Sequence, residues 1–100
     1  MINIAHLLAA ALLVNCIPHI VHGLSGNRFQ TPFAKPPGVG ESSAMVNVLW
    51  GAFNFATGVL LLWGFGEFQI GNNLDTAMTG ASALVTALAL SWHFQRVRQK

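Results

Sequence analysis

Apolar residues dominate three stretches of this 100-residue chain, 2–22, 44–65 and 76–95, and the polar residues collect mostly between them. Each stretch is close to the roughly 20 residues a helix needs to cross the hydrocarbon of a bilayer. None has the broad polar face of a helix resting on a soluble core. The pattern predicts an all-α integral membrane protein, with three transmembrane helices in one small bundle and residues 1–100 as a single domain. Positions 24–43 make a long connection. Its stretch Thr31-Pro32-Phe33-Ala34-Lys35-Pro36-Pro37-Gly38-Val39-Gly40 is too rich in proline and glycine for a helix or a central strand. Phe29, Phe33 and Val39 give this loop apolar side chains able to lie back on the bilayer or the bundle.

Local signals mark the ends of the helices. Pro18 has no amide proton to donate to the carbonyl of Val14, so a kink is expected there, and Gly23 and Gly26 supply the chain reversal that follows. Ser42 and Ser43 are the expected N-caps of the second helix and Asp75 of the third, because their oxygens accept from unpaired first-turn amides. Trp63-Gly64-Phe65-Gly66 closes the second helix, and 67–74 make a short turn.

Composition sharpens the membrane reading: 53% of residues are apolar and only 8% charged, too oily for an ordinary soluble domain. The net charge of +2 does not point to nucleic acid, since Arg96, Arg98 and Lys100 simply flank the end of a span. Arg28 and Lys35 lie in the first connection and the other three bases in the tail, all on one side of a three-span topology. The positive-inside bias then places the N-terminus outside and the first loop and C-terminus in the cytoplasm, most simply of a bacterial cytoplasmic membrane. The first stretch reads as a retained helix and not a signal peptide, because no basic leader precedes it and Ala9-Ala10-Ala11 falls inside the apolar run. Cys16 stands alone and permits no intrachain disulfide.

The remaining question is why polar side chains occupy segments that must dissolve in lipid. Asn15, His19 and His22 share one face of the first helix, Asn47, Gly51, Asn54 and Gly58 one face of the second, and Thr79, Ser82, Thr86 and His93 one face of the third. These stripes are expected to face one another, since small residues allow close approach and Asn, Ser and Thr bond across helices. Counting about 1.5 Å per residue from each midpoint, His19, Asn47 and His93 all fall roughly 10 Å to the loop side of the bilayer centre. They form the core of a candidate ligand pocket, with Asn15, His22, Trp50 and Asn54 completing the set. His19 and His93 are also the candidate metal or haem ligands, through neutral imidazole nitrogens. His6, on the opposite face and near the other end, is expected to make interfacial hydrogen bonds, as is His22.

Absences narrow the function. The acidic residues Glu41, Glu67 and Asp75 all lie outside the stretches, which argues against a cation-coupled antiporter with an intramembrane carboxylate. No nucleophile stands beside a base in a recognisable motif, and no glycine-rich loop opens a helix in a nucleotide-binding context. The expectation is a non-catalytic membrane protein that self-associates or serves as an accessory subunit, with a polar pocket under the proline-rich loop. The alternatives are a bis-histidine haem or transition-metal redox protein, and an oligomeric pore or small-solute transporter.

Overall fold

The computed structural model describes residues 2–99. It contains three helices long and apolar enough to cross a membrane, Ile4–Leu24, Ala44–Gly64 and Leu74–Arg98. The elements in order are α1 (Ile4–Leu24), β1 (Phe29–Gln30), β2 (Glu41–Ser42), α2 (Ala44–Val59) continuing as a π-helical turn (Leu60–Gly64), and α3 (Leu74–Arg98). The interior is inverted relative to a soluble domain. Buried positions include His6, His19, Gln30, Thr31, Asn47 and Asn54, while Ile4, Met45 and Phe65 are each more than 70% exposed. Apolar surface turned outward and polar groups paired inward is the arrangement that lipid demands.

Asn3 caps α1 by accepting from the Ala5 amide at 2.9 Å, and the helix runs unbroken through Pro18. It ends in a Schellman motif. Gly26, at φ +78°, donates to Gly23 O, and Asn27 donates to His22 O. Of the two glycines expected to reverse the chain, only Gly26 does so; Gly23 is inside the helix and serves packing. Ser43, not Ser42, caps α2 through a bond from the Val46 amide. The end of α2 widens into a π turn closed by Phe65 N donating to Leu60 O, which carries the carbonyl of Gly66 over the start of α1.

Asp75 does not cap α3. Asn73 does, accepting from the Thr76 amide at 2.8 Å, while Asp75 turns away to α1. The helix is also longer than its apolar stretch, since Leu74 begins it and Arg98 closes it. In the loop, Phe29 pairs with Ser42 and Gln30 with Glu41 in a two-residue antiparallel ladder that gathers the proline-rich segment into a closed flap. A Thr31 Oγ1–Ser42 Oγ hydrogen bond reinforces its base.

Helix α1 lies between the other two. Against α2 it packs at a spacing near 3.5 residues: Leu13 fills the space at Gly58, Ile20 the space at Gly51, and Val48 the space at Gly23. A Cβ at Gly51 would stand 2.6 Å from Ile20 Cγ1, so the approach needs glycine. This is the small-residue packing of membrane helices, with a repeat that winds the pair left-handed. The buried residues of α2 are Asn47, Gly51, Asn54 and Gly58, the stripe read from the sequence. On the other side of α1 the packing is looser: Ser82 Oγ donates to Leu7 O at 2.8 Å, yet no residue of α3 is fully buried.

Candidate functional site

The loop end of the bundle holds a cavity of about 140 Å³. Its floor and walls are Asn15 and His19 from α1, Trp50 from α2, and His93 and Phe94 from α3; Gln30, Thr31, Pro32 and Gly38 of the flap form its roof. Helical periodicity brings the first five to one place, and the β1–β2 ladder sets the height of the roof.

Asn47 fixes the chemistry of His19. The Asn47 amide nitrogen lies 3.1 Å from Phe29 O, 3.2 Å from Ser42 O and 3.0 Å from Ser43 O, three acceptors that only an NH2 group can satisfy. Its oxygen must then be the atom 2.7 Å from His19 Nδ1, so His19 donates from Nδ1. A neutral His19 ring keeps its lone pair on Nε2, and the bond through Nδ1 is the one side-chain hydrogen bond of this ring among the described residues. The ring is 2% exposed and held edge-on by Phe29 and Trp50.

His93 is oriented in the complementary sense. Its Nε2 lies 2.7 Å from Gly38 O, a carbonyl that can only accept, so Nε2 carries the proton and a neutral ring leaves Nδ1 bare. The Trp50 indole N–H is buried with no partner among the described residues. His19 Nε2 and His93 Nδ1 thus have no protein partner among the described residues, and both residues line the cavity, whereas the Trp50 N–H is buried in its wall. Such groups are costly in a dry interior unless water or a ligand meets them.

Of the seven residues read from the sequence, Asn15, His19, Trp50 and His93 line the cavity. Asn47 and Asn54 stand behind it. Asn54 accepts from Asn15 Nδ2 at 3.1 Å and donates to Trp50 O at 2.8 Å, fixing two wall residues. His22 is outside the cavity, stacked on Phe29 at 4.3 Å between ring centroids. Sequence reasoning placed the proline-rich loop over the pocket but missed the anchor that holds it there. Phe29 is 3% exposed beneath the flap, and the Arg98 guanidinium packs over its ring while donating to Gln30 Oε1 at 2.8 Å. Only the apolar character of Phe29 hinted at this folding back.

The donor set limits what the cavity can hold. Among the described residues no cluster of three or more His, Cys, Asp or Glu side chains is arranged for a metal ion, so His19 and His93 would be the only strong ligands. A porphyrin is larger than the space: ligand pockets for drug-sized molecules run from about 300 Å³ upward. A single ion, a few waters or a small polar molecule is compatible in size.

A second polar cluster occupies the opposite end. His6, 4% exposed, has Nδ1 2.5 Å from Asp75 Oδ2 and Nε2 2.5 Å from Gly66 O, and the Asn3 amide donates to Asp75 Oδ1 at 2.9 Å. Both ring nitrogens therefore face an oxygen, one of a carboxylate and one of a backbone carbonyl. His6 thus hydrogen-bonds Asp75 and Gly66 O, contacts that tie α1, the segment after the π turn and α3 together. No family model matches the chain, and no curated protein or solved structure is significantly similar to it.

Proposed function

We propose that this chain is a non-catalytic protein of a bacterial cytoplasmic membrane that holds a small polar ligand in the cavity between His19 and His93. The observation that carries the reading is His19 itself: buried at 2% exposure, locked by Asn47 into one tautomer, and left with an unpartnered Nε2 beside the cavity. The Asn47 bond meets the need of the buried Nδ1 proton, and it is the second nitrogen, left without a protein partner, that supports a ligand. The N-terminus lies outside and the flap and C-terminus in the cytoplasm, because Arg28, Lys35, Arg96 and Arg98 all cluster at the cavity end of the bundle. The exposed apolar faces serve self-association or docking to a larger membrane complex.

A bound transition-metal ion is the second reading, favoured by the two neutral imidazole nitrogens whose partners fix their tautomers. A pore has less support, since Asn15 and Asn54 satisfy each other within one chain, as do His19 and Asn47. Native mass spectrometry of freshly extracted protein, with elemental analysis, tests the proposal. The wild type is expected to carry a small adduct or a metal that His19→Phe, which fills the cavity with a ring lacking nitrogen, does not. Identical bare masses for both would overturn it.

A further inference from the structure

The seam between α1 and α3 is open where the seam between α1 and α2 is closed. Midway along it, Val14, Ile17, Ala87 and Leu90 line an apolar crevice of about 290 Å³ beside Pro18. Ser91 and Phe94 carry this crevice into a polar stretch of about 340 Å³ at the loop end, bounded by His22, Gln95 and Arg98. In the other direction Val14 joins it to a third, apolar stretch that reaches Ala10 and Gly80. From Ala10 to His22 the path follows α1 for roughly 18 Å at about 1.5 Å per residue, close to the ~15 Å of hydrocarbon in one leaflet.

We propose that this crevice binds one phospholipid with an anionic headgroup, its acyl chain along Val14, Ile17 and Ala87 and its phosphate against Arg98, Gln95 and His22. The polarity of the walls changes from apolar to hydrogen-bonding along the groove, in the direction in which a lipid changes from chain to headgroup. Arg98 is prepared for an anion. Its Nη1 is committed to Gln30 and, at 3.3 Å, to Glu41, and its guanidinium is seated on Phe29, while Nη2 and Nε have no protein partner among the described residues. The His22 ring borders the same stretch, stacked on Phe29 and without a side-chain hydrogen bond to protein among the described residues. Glu41 is the one acid at this end, against Arg28, Lys35, Arg96 and Arg98, so an anionic headgroup is favoured over a zwitterionic one. Ile17, on the rim, is 55% exposed, so the groove opens sideways, as entry from the bilayer requires.

The test is native mass spectrometry of the detergent-purified protein mixed with phosphatidylglycerol or phosphatidylcholine at equal concentration, with and without excess inorganic phosphate. Retention of phosphatidylglycerol is expected to exceed that of phosphatidylcholine roughly fivefold for one engaged basic residue, and phosphate should not displace it. Arg98→Gln is expected to remove the preference. Ala87→Phe, which obstructs the apolar stretch and leaves every polar group in place, should lower retention of both lipids and keeps the test decisive if Arg98→Gln does not fold. Equal retention of the two lipids by the wild type, undiminished retention by Ala87→Phe, or displacement by inorganic phosphate, which marks a free-anion site, would each overturn the proposal.

Discussion

Asn47 illustrates how one amide sets a site it does not itself line. It is fully buried and joins α1, α2 and the base of the flap by bonding His19, Phe29 O, Ser42 O and Ser43 O. Asn47→Leu keeps the volume but leaves the His19 Nδ1 proton without its acceptor and the carbonyls without that donor, at about 1–3 kcal/mol for each group truly orphaned. The expected result is a large fall in melting temperature in detergent, with protease cleavage in the flap at 31–40; Asn47→Leu melting like wild type would contradict the assigned network. The importance of Asn47 was legible in the sequence, because an amide in an apolar helix needs partners. The partners from the loop were not, since carbonyls of Phe29 and Ser42 reach it through a ladder only two residues long. Asp75 was misread for a related reason. Its position before a helix fits a cap, and only the tertiary approach of His6 shows that Asn73 takes that role instead. Asp75→Asn removes the carboxylate opposite His6, and a lower melting temperature with looser docking of α3, read as faster amide exchange at 76–82, is expected.

Among the helices, legibility followed periodicity. The spacing of Asn47, Gly51, Asn54 and Gly58 identified the buried face of α2 because only one face can approach α1 closely. Residues 79, 82, 86 and 93 of α3 are less exposed than their neighbours on the outer face, but the looseness of that contact left no trace in the sequence, where this stripe reads like those of the other two helices. The two glycines Gly51 and Gly80 provide a paired test. Gly51→Leu must displace Ile20, and overpacking of this kind costs about 1–3 kcal/mol. A Cβ at Gly80 meets nothing within 4 Å, so Gly80→Ala is expected to leave stability unchanged or raise it by up to about 1 kcal/mol through helix propensity. Thermal unfolding of both variants in one detergent checks the contrast; equal destabilisation would mean that α3 packs as tightly as α2.

For the molecule as a whole, charge divides the two ends. The described Lys and Arg side chains lie with the flap and the cavity, whereas Glu67 and Asp75 lie with the π turn and the buried His6 pair. A reporter active only in the cytoplasm, fused after the C-terminal residue, is expected to give signal, and one active only outside is expected to be silent. The reverse result would invert the orientation and put the cavity on the outer side.

The central position of α1 also has a consequence for how the protein is made. The contacts that join α1 to α2, namely their glycine approaches, the Asn15–Asn54 and His19–Asn47 bonds and the base of the flap, all lie before Gly66 in the chain, so none of them needs α3. Helix α3 follows the α1–α2 hairpin in the chain and packs onto α1. It attaches through polar contacts spread along its length, Asp75 at one end, Ser82 between and His93 and Arg98 at the other, with the apolar crevice along its flank. The cavity wall formed by His93 and Phe94 therefore belongs to residues made after that hairpin, so the site cannot be complete before α3 has been synthesised.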